Sequence, residues 1–136
     1  MRTMAIDFGD QRIGLAVSDL LGMLAGEAWT MEEWNMERAA KRIAEAAKQR
    51  DVCTLVLGLP KNMDGTEGAR ADCCKEFAQK VREGTGLPVA MWDERRTTVE
   101  AHNILSEHNY HGKKRKNTVD AVAASLILEG YLNSLK

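Results

Sequence analysis

The sequence predicts an α/β layered fold, and three observations carry that prediction. From Asn35 onward, short apolar runs alternate with stretches of helical periodicity. One run, Val52 to Leu57 (VCTLVL), is near-continuously apolar, as a central strand covered on both faces would be. Ahead of Asn35, apolar runs Met4–Ile6 and Ile13–Val17 flank the turn-forming Phe8-Gly9-Asp10-Gln11, which reads as a β-hairpin.

Each element has a local reason. In the hairpin, Gly9 is expected to supply a positive φ and Asp10 to bond its own backbone, while Gly14 marks a bulge or close approach. Met23 to Met31 reads as a third strand, with Trp29 and Trp34 as packing residues. Asn35 is a suitable N-cap for a helix to about Arg50, with Ala39, Ala40, Ile43, Ala44 and Ala47 on one face. The Val52 strand gives way to a turn-rich loop from Gly58 to Gly65. A helix from Glu67 to Arg82 follows, turning Cys73 or Cys74, Phe77, Ala78 and Val81 inward. Val89 to Trp92 is a strand that meets two acids, Asp93 and Glu94. Thr97 to Glu100 fits a capping box opening a helix to about Glu107. The last helix is expected to begin near Asn117 or Thr118, after the basic run Lys113 to Lys116. Val119, Val122, Ala123, Leu126 and Ile127 fall at helical spacing along it.

The bulk composition narrows the function. A chain of 136 residues without linker, repeat or low-complexity tract is expected to form one domain over 1–136, burying about two thirds of its unfolded surface. A formal net charge of -1 advertises neither nucleic acid nor membrane, so local patches must carry any such case. No apolar run approaches the ~20 residues of a spanning helix, and no signal-peptide core opens the sequence. Three cysteines without a CxxC pair read as reduced thiols, and the expected location is the cytoplasm, away from membranes.

Chemistry is concentrated at element ends. Asp7 closes the first strand, Asp93-Glu94 a later one, and Asp120 is expected in the first turn of the final helix. Helical side chains lean toward the N-terminus, so Asp120 can reach a cleft at the strand ends. Carboxylates gathered there repel one another unless cations sit between them. Hard oxygen ligands suit Mg²⁺ or Mn²⁺, and two ions ~4 Å apart can stabilise the attacking and leaving oxygens of a phosphodiester. Singly, each acid is also accounted for as a turn residue or a helix-dipole partner. Adjacent strand residues point to opposite faces, and parity alone leaves open whether Asp93 or Glu94 shares the face of Asp7.

Four segments, MAIDFGDQRIGLAVSD, LVLGLPKNMDGTEG, VAMWDERRTT and NTVDAVAASLILEGYL, come in this order. Together they resemble the YqgF/RuvX family of Holliday-junction-resolvase-like, pre-16S ribosomal RNA nucleases, over nearly the whole chain. The resemblance implies a ribonuclease H-like fold, a mixed five-stranded sheet flanked by helices, with an acidic active-site cleft. It implies Asp7, Glu94 (from the DER motif) and Asp120 as catalytic, metal-holding acids, Asp120 sitting in the least distinctive of the four segments. The GLPxNMDG loop matches through Asn62, Asp64 and Gly65, and Asn62 joins the expected substrate-binding residues. Arg95 and Arg96 can hold a phosphate bidentately, with a surface pair to Asp93 as the competing account. Lys113, Lys114, Arg115 and Lys116 suit a nucleic-acid backbone as well as a solvated loop. His102, His108 and His111 share no ligand spacing and read as surface residues.

The expected function is a metal-dependent endonuclease for structured RNA, in 5'-end maturation of pre-16S ribosomal RNA within a pre-ribosomal particle, as monomer or homodimer. Cleavage of branched DNA junctions is the alternative within that class. A nucleotide-binding half-domain and a non-catalytic RNA-binding assembly factor are the alternatives outside it.

Overall fold

The computed structural model describes residues 2–9, 12–19, 25–60, 64–93 and 112–135, with the backbone alone at 25 and 112–120. Five strands, β1 (Arg2–Phe8), β2 (Arg12–Ser18), β3 (Ala25–Glu32), β4 (Val52–Leu59) and β5 (Val89–Asp93), form one sheet. Its order is β3-β2-β1-β4-β5, antiparallel from β3 to β1 and parallel from β1 to β5. Helices α1 (Met36–Gln49), α2 (Ala69–Thr85) and α3 (Gly112–Ser134) complete the described elements. This is the mixed five-stranded sheet with helices that the resemblance implied. The helix expected from Thr97 to about Glu107 lies outside the described residues.

The sheet has two unlike faces. Met4, Ile6, Ile13, Leu15, Val17, Leu55, Leu57 and Leu59 bury one of them against α1 and α2. There Phe8 stacks on Phe77 of α2, ring centroids 4.2 Å apart and 16° from parallel. The other face meets α3 through a smaller cluster, Ala5, Ala16 and Val56 against Ala124, Ile127, Leu128 and Leu132. The register lines up Ala28, Ala16, Ala5, Val56 and Ala90 across all five strands. A row so short in side chains lets a helix lie close to the sheet.

Local chemistry explains the element ends. Asn35 Oδ1 accepts from the Arg38 N–H at 2.9 Å, the expected cap, and Glu33 pairs with Arg38 and Arg42 beside it. Between α1 and β4, Asp51 takes φ of 54°, one of the few non-glycine types that tolerate the left-handed region. Gly86 closes α2 at φ 70°, its N–H donating to the Arg82 carbonyl. Of the adjacent cysteines, Cys74 faces inward and Cys73 is exposed.

Four expectations change. Gly9 is not in the left-handed region; an added Cβ would stand 2.4 Å from the Arg12 carbonyl oxygen, so close approach excludes a side chain there. Trp34 is 77% exposed and packs no core, because it sits in the connector before the Asn35 cap rather than on β3. The final helix begins at Gly112, so the Lys113–Lys116 run lies in its opening turn and Asp120 about two turns in from Gly112. Its buried stripe also shifts: Ala124, Leu128 and Leu132 join Ala123 and Ile127, while Val122 and Leu126 are only half-buried, near Ala28. VAASLIL is apolar nearly all round, so periodicity alone could not select a face.

Candidate active site

Asp7 is the penultimate residue of β1, the central strand of the sheet. It is half-buried and alternates with Ile6 and Phe8, so its side chain leaves on the α3 face. Its partner in β2 is Gly14, and the Ile6–Leu57 pairing carried one residue onward sets Gly58 beside it in β4. The acid is thus flanked by residues without side chains on both neighbouring strands. Cross-strand neighbours ordinarily bring their Cβ atoms within about 5.5 Å, and here both neighbours lack one. Trp92 of β5, paired with Gly58, ends this row on the same face.

Trp92 also fixes how α3 sits. An added Cβ at Gly130 would stand 2.7 Å from Trp92 Cζ2 and 3.1 Å from its Cε2, so the indole lies directly on the bare helix backbone. Among the described residues the buried indole nitrogen has no acceptor. That contact ties β5 to the helix that carries Asp120.

Asp93, the last residue of β5, pairs with Leu59 and follows Val89 and Met91 on the α1/α2 face. It therefore stands on the opposite side of the sheet from Asp7. Glu94, Arg95, Arg96 and Asn62 lie outside the described residues, and of Asp120 and Lys113–Lys116 only the helical backbone is described. Among the described residues no three histidines, cysteines or acids come together.

The loop after β4 is organised by Asp64, whose Oδ1 accepts from the Thr66 N–H at 2.9 Å and the Thr66 hydroxyl at 2.7 Å. Gly65 takes φ of 91° in this turn, a conformation that asks for glycine. Where the loop enters α2, Lys75 donates to Glu67, and the hydrogen bond and charge of Glu67 hold the ammonium above its usual range. From the first turn of α2, Arg70 Nη2 donates at 2.7 Å to the carbonyl of Phe8, the residue after Asp7. No sequence signal marked Arg70, because its acceptor lies 62 positions away.

Comparison with known proteins agrees with this geometry. The family described as "RuvX: Holliday junction resolvase" matches residues 1–134. A protein of Clostridium acetobutylicum is 43% identical over 135 residues, covering 99% of this chain and 100% of its own. One from Lachnospira eligens is 44% identical over 137 residues, covering 98% of each. Both carry the name "Putative pre-16S rRNA nuclease". Among solved structures, Thermus thermophilus RuvC superposes with a TM-score of 0.60 at 14% identity, over 99% of this chain and 96% of that one. The Fowlpox virus resolvase, solved with Holliday junction DNA, gives 0.60 at 13% identity over 99% of each chain. These likenesses establish the resolvase-type, ribonuclease H-like fold.

Proposed function

The chain belongs to the RuvX family, and from that premise we propose a metal-dependent endonuclease that hydrolyses phosphodiester bonds of structured RNA in 5'-end maturation of pre-16S ribosomal RNA. The observation that carries the proposal is the setting of Asp7, a carboxylate at the end of the central strand with a glycine on either side. Glycines at those two positions leave space beside the carboxylate for a cation and a polymer backbone. The donors fit a hard divalent cation: Asp7, Glu94 and Asp120 are all carboxylates, and the bare flanks of Asp7 leave it room. Mg²⁺ or Mn²⁺ held among them, as two ions, would supply Lewis-acid stabilisation of the attacking and leaving oxygens.

The faces of the sheet support Glu94 over Asp93 as the second acid. Ala90 and Trp92 share the face of Asp7, and strand alternation, if continued past Asp93, would bring Glu94 to that face. Asp93 belongs with Met91 on the other. Arg95, Arg96 and Asn62 would orient the phosphodiester, and Lys113, Lys114, Arg115 and Lys116 would hold more distant phosphates. The setting we infer is the cytoplasm, on a pre-ribosomal particle, with the protein as monomer or homodimer. Cleavage of branched DNA is the second reading, favoured by the description of the family as a Holliday junction resolvase.

The test is incubation of precursor 16S ribosomal RNA and of a four-way DNA junction with the protein, each with Mn²⁺ and with chelator. Cleavage of the RNA only with metal, lost in Asp7→Asn and Glu94→Gln but partly kept in Asp93→Asn, is the expected result. Cleavage of the junction alone would favour the second reading. An Asp7→Asn protein that cleaves at the wild-type rate would refute the metal-site assignment.

A further inference from the structure

We propose that Trp34 is a stacking platform for an unpaired base of the nucleic-acid substrate, away from the scissile bond; the inference rests on the nuclease reading and names a further substrate-binding residue for that site. Among the described residues the large apolar side chains left exposed are Trp34, at 77%, and the penultimate residue Leu135. An indole is among the most stabilising side chains to bury. Left in water, it suits a partner that brings a flat apolar face of its own. The position of Trp34 says which partner. β1 and β3 run in the same direction, and Ile13 of β2 pairs with Phe8 on one side and Met31 on the other. Glu32 therefore ends β3 at the end of the sheet where Asp7 and Phe8 end β1, and Trp34 follows two residues later. Two strand spacings, about 10 Å, separate β3 from β1. A polynucleotide seated at Asp7 and continued across the ends of β2 and β3 comes to Trp34.

The indole stands on a braced backbone. Glu33 Oε2 accepts from the Trp34 N–H at 3.2 Å and from Arg38 Nε at 3.3 Å. Arg42 Nη1 donates to the Glu32 carbonyl at 2.8 Å, and Asn35 caps α1 directly after the tryptophan. A platform ordered beforehand loses little freedom on binding. Over residues 32–42 the acids Glu32, Glu33 and Glu37 balance Arg38, Lys41 and Arg42, so this stretch offers a phosphate no net attraction. A base is the part of the polymer that the ring suits, and every base has a face to stack.

The experiment measures binding in chelator, where cleavage is suppressed, of a precursor 16S ribosomal RNA fragment with unpaired nucleotides and of a fully paired RNA duplex of the same length. Trp34→Ala should weaken binding of the fragment about tenfold and of the duplex about twofold or less. Trp34→Phe keeps a flat ring and should recover most of the loss. The slope of log affinity against log salt should stay at the wild-type value in both variants, since no phosphate contact is removed. In the wild-type protein, bound fragment should shield Trp34 from oxidation, read by mass spectrometry, so a poorly folding variant does not remove the test. Unchanged affinity of folded Trp34→Ala for the fragment, or equal oxidation of Trp34 with and without it, overturns the role of Trp34 alone. A wild-type dimer that Trp34→Ala converts to monomer, with nucleic-acid affinity unchanged, gives the indole to a second copy of the chain and also overturns it. A wild-type protein that binds neither probe overturns the reading as an RNA nuclease as well.

Discussion

The two faces of the sheet are built from different materials. Toward α1 and α2 the strands present Met, Ile, Leu and Phe, filled in by Phe77, Val81 and Ile43. Toward α3 they present alanines, a valine, two glycines and, on β5, Trp92, and the one acid of β1 stands among them. The same strands supply both sets by alternation, so the division is written at period two. The large side chains supply most of the apolar area that stabilises the domain. The small ones let α3 come close and set a glycine on either side of Asp7. The large-residue core and the strand-end acid Asp7 are thereby placed on opposite sides of one backbone.

Substitutions can break or sharpen this division. The largest effect is expected on the large-residue face: Phe77→Ala removes the stacked partner of Phe8 and should cost about 3–5 kcal/mol in denaturant unfolding. A cost below about 1 kcal/mol would mean that the face is not the main core. On the opposite face the sensitive change is enlargement. Ala5→Leu, at a site with 0% exposure beneath α3, should cost about 1–3 kcal/mol by overpacking. On the other face, Met4→Leu should stay below about 1.5 kcal/mol. If calorimetry found both equally harmless, the close seat of α3 would be disproved.

Gly130→Ala is a finer probe. Helix propensity favours alanine by about 1 kcal/mol, and the clash with the Trp92 ring opposes it by about 1–3 kcal/mol. A small net loss is expected, and it should turn into a gain when Trp92 is also made Leu. A double-mutant cycle reads that reversal. The smallest effect belongs to the edge strand, where Arg50 hydrogen-bonds Glu27 at 3.1 Å and lies 4.3 Å over the Trp29 ring. The hydrogen bond from Arg50 holds the Glu27 carboxyl below its usual value, against a smaller opposing effect of desolvation. Its contribution is therefore present above the unfolded value near 4.5 and disappears as pH falls through the folded one. Glu27→Gln should cost no more than about 0.5 kcal/mol at neutral pH, a cost that fades as pH falls through the folded value. A pH-independent difference in melting temperature would remove the ion pair from the account.

What was legible in the sequence follows the range of the interactions. VCTLVL announced a central strand because both of its faces are buried, and Asn35 announced a helix start because a cap bonds only three residues away. Asp7 stood out as an acid ending an apolar strand. Parity in β5 was legible as alternation, but only the packing of Trp92 against α3 tells which face it shares with Asp7. The start of α3 was misread because Gly112 looks like a break and four like charges look like a loop. Lysine and arginine are nonetheless good helix formers, and the helix runs through them. Arg70 was invisible, since an arginine in a first turn resembles any surface residue until its distant acceptor is known.

The mixed sheet also sets an order of assembly. Gly14 reaches Asp7 through a hairpin whose strands are separated by three residues, a closure of microseconds. Gly58 reaches it only after about fifty residues, β3 and α1 among them, have been gathered in, which is entropically dearer and slower. One flank of Asp7 is therefore formed early and the other late. Pulsed hydrogen exchange should protect β1 and β2 amides before those of β4, so a folding chain leaves Asp7 with one bare flank until its parallel half has docked.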